Sequence, residues 1–308
     1  MTTDVLPQLT AEIRAAAHPD APDAAPCACA TITLAHRPDA TVLRHADTVA
    51  KAHAPGTDPT ALALRLATAT RLPDVFLPPL APATAASVEG RPVTLWPYGA
   101  PVDPEAPDTA PWEAAAALLA RLHRTPSTPG TPPMRGPEKA ALAMSRLRAT
   151  LAASRPHPAA RPLLRAWSAL PAWARAEAPA PDTHPRALCH GDLHLGQLVR
   201  HPAPDGPWRL IDVDDLGVGV PAWDLARPAS WYACGLLPPD AWNRFLAAYR
   251  AAGGPAVPEG DPWAALDVPA RALTVQTGAR YLAKAVAADR PLDEVEQSLI
   301  DACARMAP

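Results

Sequence analysis

Nearly all the side chains able to do chemistry in this 308-residue chain fall in one stretch, Leu188–Leu216, which reads LCHGDLHLGQLVRHPAPDGPWRLIDVDDL. Gln197–Arg200 and Arg209–Asp212 are apolar-rich strand candidates on either side of the turn signal Pro204-Asp205-Gly206. A hairpin centred on that turn sets Gln197 across from Asp212, with facing Cβ atoms about 5 Å apart. Asp192 lies five residues before Gln197, in a turn that Gly191 and Gly196 permit. Two carboxylates and an amide oxygen would then meet at one end of the hairpin. Hard oxygen donors of this kind suit Mg²⁺, which shares its remaining positions with water and phosphate oxygens.

Two other readings compete. HGDLH can be a polar turn with satisfied histidines, or His190, Asp192 and His194 can be ligands of a zinc hydrolase. Against zinc, His184 and His201 show no recognisable partner spacing, and the Asp–Gln–hairpin–Asp layout goes unexplained.

The elements around this stretch change character near residue 100. Before it, Ala30–Leu34, Thr41–Arg44, Thr48–His53 and Pro92–Trp96 read as β-strands, with His45-Ala46-Asp47 as a tight hairpin turn. Asp58-Pro59 is an N-cap followed by Pro at N1, opening a helix to about Thr70. After residue 100, Trp112–Leu122, Glu138–Ala153, Pro162–Ala178, Pro239–Ala252 and Val268–Ala287 read as helices, and Pro126–Pro137 as a loop. The fold class expected is α+β: a small antiparallel sheet with one helix over residues 1–99, then a mainly helical part over 100–308.

Composition sets the bounds. Pro (42) and Gly (15) make up about a fifth of the chain, below the roughly 25–30% of disordered low-complexity sequences. The net charge of −3 carries no basic run, so a dedicated nucleic-acid partner is not expected. No apolar run approaches the ~18 residues of a membrane span, and Met1–Leu9 has neither the basic nor the apolar region of a secretory signal. Five cysteines are irregularly spaced, and Cys27 and Cys29, one residue apart, match neither a zinc knuckle nor a redox pair. Reduced thiols in the cytoplasm are the expectation.

His190-Gly191-Asp192-Leu193-His194, together with Ile211-Asp212 and Gly219-Val220-Pro221-Ala222-Trp223-Asp224-Leu225-Ala226, resembles the aminoglycoside phosphotransferase family of the protein-kinase-like fold. The likeness covers roughly residues 40–230 and is dense only over 188–226; Leu118–His123 and Val49-Ala50-Lys51 extend it. It implies an ATP- and Mg²⁺-dependent kinase acting on a hydroxyl of a small molecule such as an aminoglycoside, sugar or related alcohol. In that resemblance Asp192 is the base that accepts the hydroxyl proton and Asp212 holds Mg²⁺. Lys51 pairs the nucleotide phosphates, and Trp96–Gly99, with Trp96, Tyr98 and Gly99, forms the hinge against adenine. His190 and Asp224 brace the catalytic loop. Trp231 and Tyr232 are candidates for lining the acceptor cleft.

Three departures stand out. Gln197 occupies the metal position where the family has Asn, as in the similar maltokinase branch. The helix opening at Asp58 holds no Glu to face Lys51, its one internal charge being Arg65. No glycine precedes Gly56, so a glycine-rich phosphate loop is missing. The last two keep a second class open: a catalytically degenerate member that binds a nucleotide or partner as a regulatory module. Asp214 and Asp215 are read as surface acids and His123 as a cap or packing residue. The acceptor's identity and the oligomeric state are not legible.

Overall fold

Strand alternation explains how one lysine can sit in the middle of a buried sheet. In the computed structural model, which describes residues 5–19, 27–81, 86–154 and 156–306, the chain begins with α1 (Leu6–Ala17), β1 (Thr31–Arg37), β2 (Ala40–His45) and β3 (Thr48–Ala52). Helix α2 (Pro59–Arg71) follows, then β4 (Ala86–Val88), β5 (Arg91–Pro97) and β6 (Ala100–Pro101). Next come α3 (Trp112–Arg124), α4 (Gly136–Ala152), α5 (Ala160–Ser168), β7 (Ala187–Cys189), β8 (Leu198–Arg200), β9 (Trp208–Leu210) and β10 (Gly217–Gly219). The chain closes with α6 (Ala222–Ala233), α7 (Pro239–Ala251), α8 (Trp263–Ala287) and α9 (Glu294–Met306). This is the α+β class expected.

The chain divides into two compact units. The first runs to Ala110, past the boundary expected at residue 99, and takes in 130–132 and 196–214. Its five-stranded antiparallel sheet has the order β1-β2-β3-β5-β4. Ala50 and Ala52 point to one face of β3, where with Leu43, Val88 and Val93 they meet Leu9 and Ile13 of α1 and its N-cap Val5. Side chains alternate along a strand, so Lys51, between those alanines, points to the opposite face. Helix α2 starts as its sequence predicts: Asp58 accepts a hydrogen bond from the Thr60 amide at 2.9 Å, and Pro59 holds N1. A second sheet of three strands, β6-β8-β9, carries the hairpin.

In the second unit α8 is the central helix, with α4, α5, α6 and α9 packed against it, while α3 lies on α7 and β7. Strands β7 and β10 pair antiparallel. The helix expected over Pro162–Ala178 is interrupted: α5 stops at Ser168, and a 3-10 turn covers Ala172–Arg175. Pro171 causes the break, because it lacks an amide proton and its ring disfavours a helical conformation at Leu170. Helices α1, α6 and α9 and strands β4, β6, β7 and β10 were not foreseen. Among the described residues no helix is long and apolar enough to cross a membrane.

Gly99 shows how tightly the hairpin is seated in the first unit. A Cβ there would lie 2.5 Å from Val199 Cγ2 and 3.2 Å from the Arg200 carbonyl oxygen. Gly99→Ala should therefore destabilise the protein by about 1–3 kcal/mol through overpacking, measured by chemical denaturation. Adding Val199→Ala removes the Cγ2 contact, though not the Val199 Cβ 2.7 Å away, and should recover part of the loss; no recovery would rule out the Cγ2 contact as the cause.

Candidate active site

Burying an ammonium requires carboxylates to face it, and the first unit supplies two. Lys51 Nζ lies 2.7 Å from Asp212 Oδ1 and 3.0 Å from Asp214 Oδ2. Burial alone would lower the Lys51 pKa; the two carboxylates outweigh it and raise the pKa above the ordinary lysine value. The Asp214 carboxyl is held well below the usual carboxylate range: burial opposes this, and Lys51 and His53 overcome it. His53 Nδ1 sits 2.9 Å from Asp214 Oδ1, while its Nε2 is 2.8 Å from Thr94 Oγ1, which also accepts from Trp96 Nε1 at 2.9 Å. Asp214 is thus no surface acid but a partner of Lys51, where the sequence suggested that a helix glutamate was missing.

The Gln197 amide lies 3.2 Å from Asp212 Oδ2, donating through Nε2 as placed. This meeting comes about differently from the expectation. The observed register pairs Leu198 with Leu210 and Val199 with Arg209, one residue off the symmetric hairpin, and the Gln197 carbonyl accepts from the Ile211 amide at 2.9 Å. A one-residue slip reverses every facing side chain. Asp212 recovers the contact because its backbone turns into the left-handed region, φ 65°, which Asp tolerates better than most residues. Its Oδ1 also accepts from the Asp214 amide at 3.4 Å, closing the turn.

The donor set fits a hard divalent cation. Asp212 offers a carboxylate, and a half-turn of the Gln197 amide, whose O and N are assigned rather than observed, presents its carbonyl oxygen to the same place. Both ligands are of the oxygen type that Mg²⁺ takes.

In the second unit, Asp192 is gripped by two cations that sequence reading did not single out. Lys139 Nζ lies 2.6 Å from Asp192 Oδ2 and Arg227 NH2 lies 2.7 Å from Oδ1. Burial pushes the Asp192 pKa up, but Lys139 and then Arg227 outweigh it and hold the carboxyl well below the usual range. Lys139 also reaches Asp215 Oδ2 at 2.7 Å, so Asp215, 7% exposed, is a buried partner rather than a surface acid. Three acids within four residues after an apolar strand were the available signal that cations had to be near.

The backbone before Asp192 is pinned by Asp224. Its Oδ2 accepts from the His190 amide at 2.6 Å and its Oδ1 from the Gly191 amide at 2.7 Å. His123, buried, places Nε2 3.0 Å from Asp224 and Nδ1 2.7 Å from the Tyr249 hydroxyl, so it belongs to this brace rather than capping a helix. The Asp192 amide donates to His190 Nδ1 at 3.4 Å.

The remaining candidates fall in two places. Trp96, next to last in β5, is buried; Tyr98 lies just past the strand, its amide donating to the Asp47 carbonyl at 2.7 Å and its carbonyl 3.0 Å from His201 Nδ1. Arg44 covers the Tyr98 ring, 3.3 Å from its centroid. Trp231 and Tyr232 both lie on α6. The Tyr232 ring stacks on Trp242, with centroids 5.6 Å apart, and on Trp263, at 6.4 Å.

No curated protein matches the sequence. Among solved structures, a choline/ethanolamine kinase family protein from Mesorhizobium loti is 17% identical, covering 98% of this chain and 94% of that one, with a TM-score of 0.56. Wild-type aminoglycoside 2'-phosphotransferase-IIIa in its GDP complex is 16% identical, covering 98% and 99%, with a TM-score of 0.58. A spectinomycin phosphotransferase in complex with ADP and spectinomycin is 12% identical, covering 90% and 88%, with a TM-score of 0.56. At these identities the likeness is one of fold, and it is the kinase-like fold expected. The model of the phosphotransferase enzyme family matches residues 36–266, which includes Lys51, Asp192, Gln197, Asp212 and Asp224; the chain belongs to the phosphotransferase enzyme family, the small-molecule kinases of this fold.

Proposed function

We propose that the chain transfers the terminal phosphoryl group of ATP to a hydroxyl of a small molecule, with Mg²⁺ as cofactor. The observation that carries this reading is the Lys51 group: a strand lysine paired with Asp212 and Asp214, with Gln197 on the other Asp212 oxygen. The alternative of an idle binding module leans on the missing helix glutamate and the absent glycines; for the first of these, Lys51 has two carboxylates instead.

In this reading Lys51 is the point charge for the α- and β-phosphates. Asp212 and Gln197 would hold Mg²⁺, which when bound neutralises charge on the phosphate oxygens. Trp96, Tyr98 and Gly99 form the strand-end segment facing the base, and residues 1–99 with the hairpin serve the nucleotide, the rest the acceptor. GDP and ADP in two similar structures support a purine nucleotide. Asp192 orients the acceptor hydroxyl and takes its proton as the oxygen bonds to the γ-phosphorus and the bridging oxygen leaves with ADP. Such catalysis is mostly positioning and charge stabilisation, so a carboxylate locked by Lys139 and Arg227 suits it despite low basicity. His190 and Asp224 act through the loop backbone. For the acceptor, Trp231 is better placed than Tyr232, whose ring is engaged in the stack with Trp242 and Trp263. The cytoplasm, where ATP is plentiful and thiols stay reduced, is the compartment proposed.

Asp192→Asn should keep nucleotide binding and lower turnover by about 10²–10⁴-fold, read with an acceptor found by screening small alcohols for ATP consumption. Turnover within a few fold of wild type would remove Asp192 from the role of base.

Lys139→Gln should let the Asp192 pKa rise toward the ordinary carboxylate value, so the acid limb of kcat/KM moves to higher pH. Lys139→Arg, which keeps the charge, should leave the limb in place. An unmoved limb in Lys139→Gln would mean that the cation does not tune Asp192.

Gln197→Leu should raise the Mg²⁺ needed for half-maximal activity by at least about tenfold, the loss typical even of outer-shell partners, and Asp212→Asn should be worse. An unchanged Mg²⁺ titration in Gln197→Leu would exclude the amide as a ligand.

A further inference from the structure

Four metal-binding side chains meet in the first unit, none of them part of the Lys51 group or the Asp192 group. His18, Cys27, Cys29 and His45 each offer a ligand atom, and all four atoms lie within 4.8 Å of one another. They come from three separate pieces of chain. His18 is the C-cap of α1, Cys27 and Cys29 precede β1, and His45 is the last residue of β2. His45 is fully buried. In sequence the set reads His-x₈-Cys-x-Cys-x₁₅-His.

Hydrogen bonding alone accounts poorly for the contacts. His45 Nδ1 lies 2.9 Å from Thr31 Oγ1, which uses that nitrogen. The single remaining nitrogen, Nε2, has two polar neighbours: His18 Nε2 at 3.2 Å and Cys27 Sγ at 3.1 Å. An imidazole nitrogen offers one proton or one lone pair in the ring plane, enough for one good partner. The two rings stand edge to face, at 87°, with their Nε2 atoms 3.2 Å apart. A tetrahedral zinc centre places two imidazole nitrogens about 3.3 Å apart, a nitrogen and a sulfur about 3.6 Å, and two sulfurs about 3.8 Å, given Zn–N near 2.0–2.1 Å and Zn–S near 2.3 Å. The His18–His45 separation of 3.2 Å matches the first of these, the His45–Cys27 separation of 3.1 Å is about half an ångström shorter than the second, and the remaining pairs lie within 4.8 Å.

We propose that His18, Cys27, Cys29 and His45 form a structural zinc site. Two thiolates and two neutral imidazoles around Zn²⁺ sum to zero charge, which suits a half-buried position. Four protein ligands leave no open position for catalysis, and mixed sulfur and imidazole donors in tetrahedral array select zinc over the hard cations. The Thr31 hydroxyl fixes the His45 ring so that Nε2 faces the metal, the usual part of an outer-shell partner. Thr31 is itself held opposite His45 in the β1–β2 ladder. The site clips the end of α1 and the approach to β1 onto the sheet edge.

The buried trio of His123, Cys189 and Asp224 also lies within ligand range, and the contrast is instructive. There both ring nitrogens of His123 and both carboxylate oxygens of Asp224 already have protein partners. That cluster is a hydrogen-bonded brace.

The test uses the full-length, tag-free protein, grown with added zinc and dialysed into metal-free buffer. Elemental analysis should give about one zinc per chain, and less than about a tenth in a Cys27→Ser/Cys29→Ser double variant. Cobalt added to the metal-stripped wild-type protein should give thiolate-to-cobalt charge-transfer bands and the intense visible bands of a tetrahedral centre. Because the double variant can fail to fold, the wild-type protein provides a second measurement: chelation should lower its Tm, and Zn²⁺ but not Mg²⁺ should restore it. Less than about a tenth of a zinc in the wild type after reconstitution, zinc content unchanged in the double variant, or a weak octahedral cobalt spectrum would each overturn the site.

Discussion

An ammonium group cannot lose its water without a carboxylate to replace it, since the penalty is several kcal/mol per ion even after the protein relaxes. Lys51 meets that condition only because the hairpin bearing Asp212, 161 residues downstream, folds as part of the first unit. The second unit applies the same rule to a carboxylate, with Lys139 and Arg227 around Asp192. The linkage signs differ. Lys51, its pKa raised, contributes stability that is complete below the unfolded value near 10.4 and lost as pH climbs through the folded one; Asp192 and Asp214, depressed, contribute above the unfolded value near 3.9 and lose it as pH falls through theirs. Between those limits both contributions are complete.

That constraint also explains which parts of the molecule were legible. Strands β2, β3 and β5 and helix α2 follow from local signals: alternation, a tight turn, and an Asp-Pro helix start. Lys51 could therefore be placed on the third strand from sequence. The hairpin register could not, because a seven-residue connection can be divided in more than one way, and the left-handed turn at Asp212 that restores its contact with Gln197 leaves no local trace. Lys139 and Arg227 were missed for a different reason. They stand 53 and 35 residues from Asp192 on separate helices, and only tertiary packing brings them to it. Helix α1 has no side-chain cap, so its weak start hid a helix whose Leu9 and Ile13 are fully buried.

The turn before Asp192 shows how the carboxylates divide the work. Asp224 spends both oxygens on the amides of His190 and Gly191. Gly191 has φ 86°, and a Cβ there would stand 2.5 Å from the Asp215 carbonyl oxygen, so conformation and space both require glycine. The backbone is thereby fixed without using the Asp192 side chain. On the proposed reading, the carboxylate that meets the acceptor is spared from holding its own loop.

The charge balance of the two groups is unequal, and the inequality has chemical meaning. Lys139 and Arg227, with Arg135 3.8 Å from Asp215 as well, fully offset Asp192 and Asp215. Lys51 faces both Asp212 and Asp214, so the formal charges of those three side chains leave one negative charge over. A group with surplus carboxylate and a neutral amide beside it attracts a cation; a group already balanced does not. On the proposed reading, the metal then belongs with Asp212 and Gln197, and Asp192 is left to the acceptor hydroxyl. Arriving phosphates would bring more negative charge than Lys51 alone can offset, and a divalent ion on the Asp212 side supplies the difference. The amide at position 197 matters here for its neutrality: a third carboxylate in its place would bind the cation harder, but would also repel the phosphates that must share it.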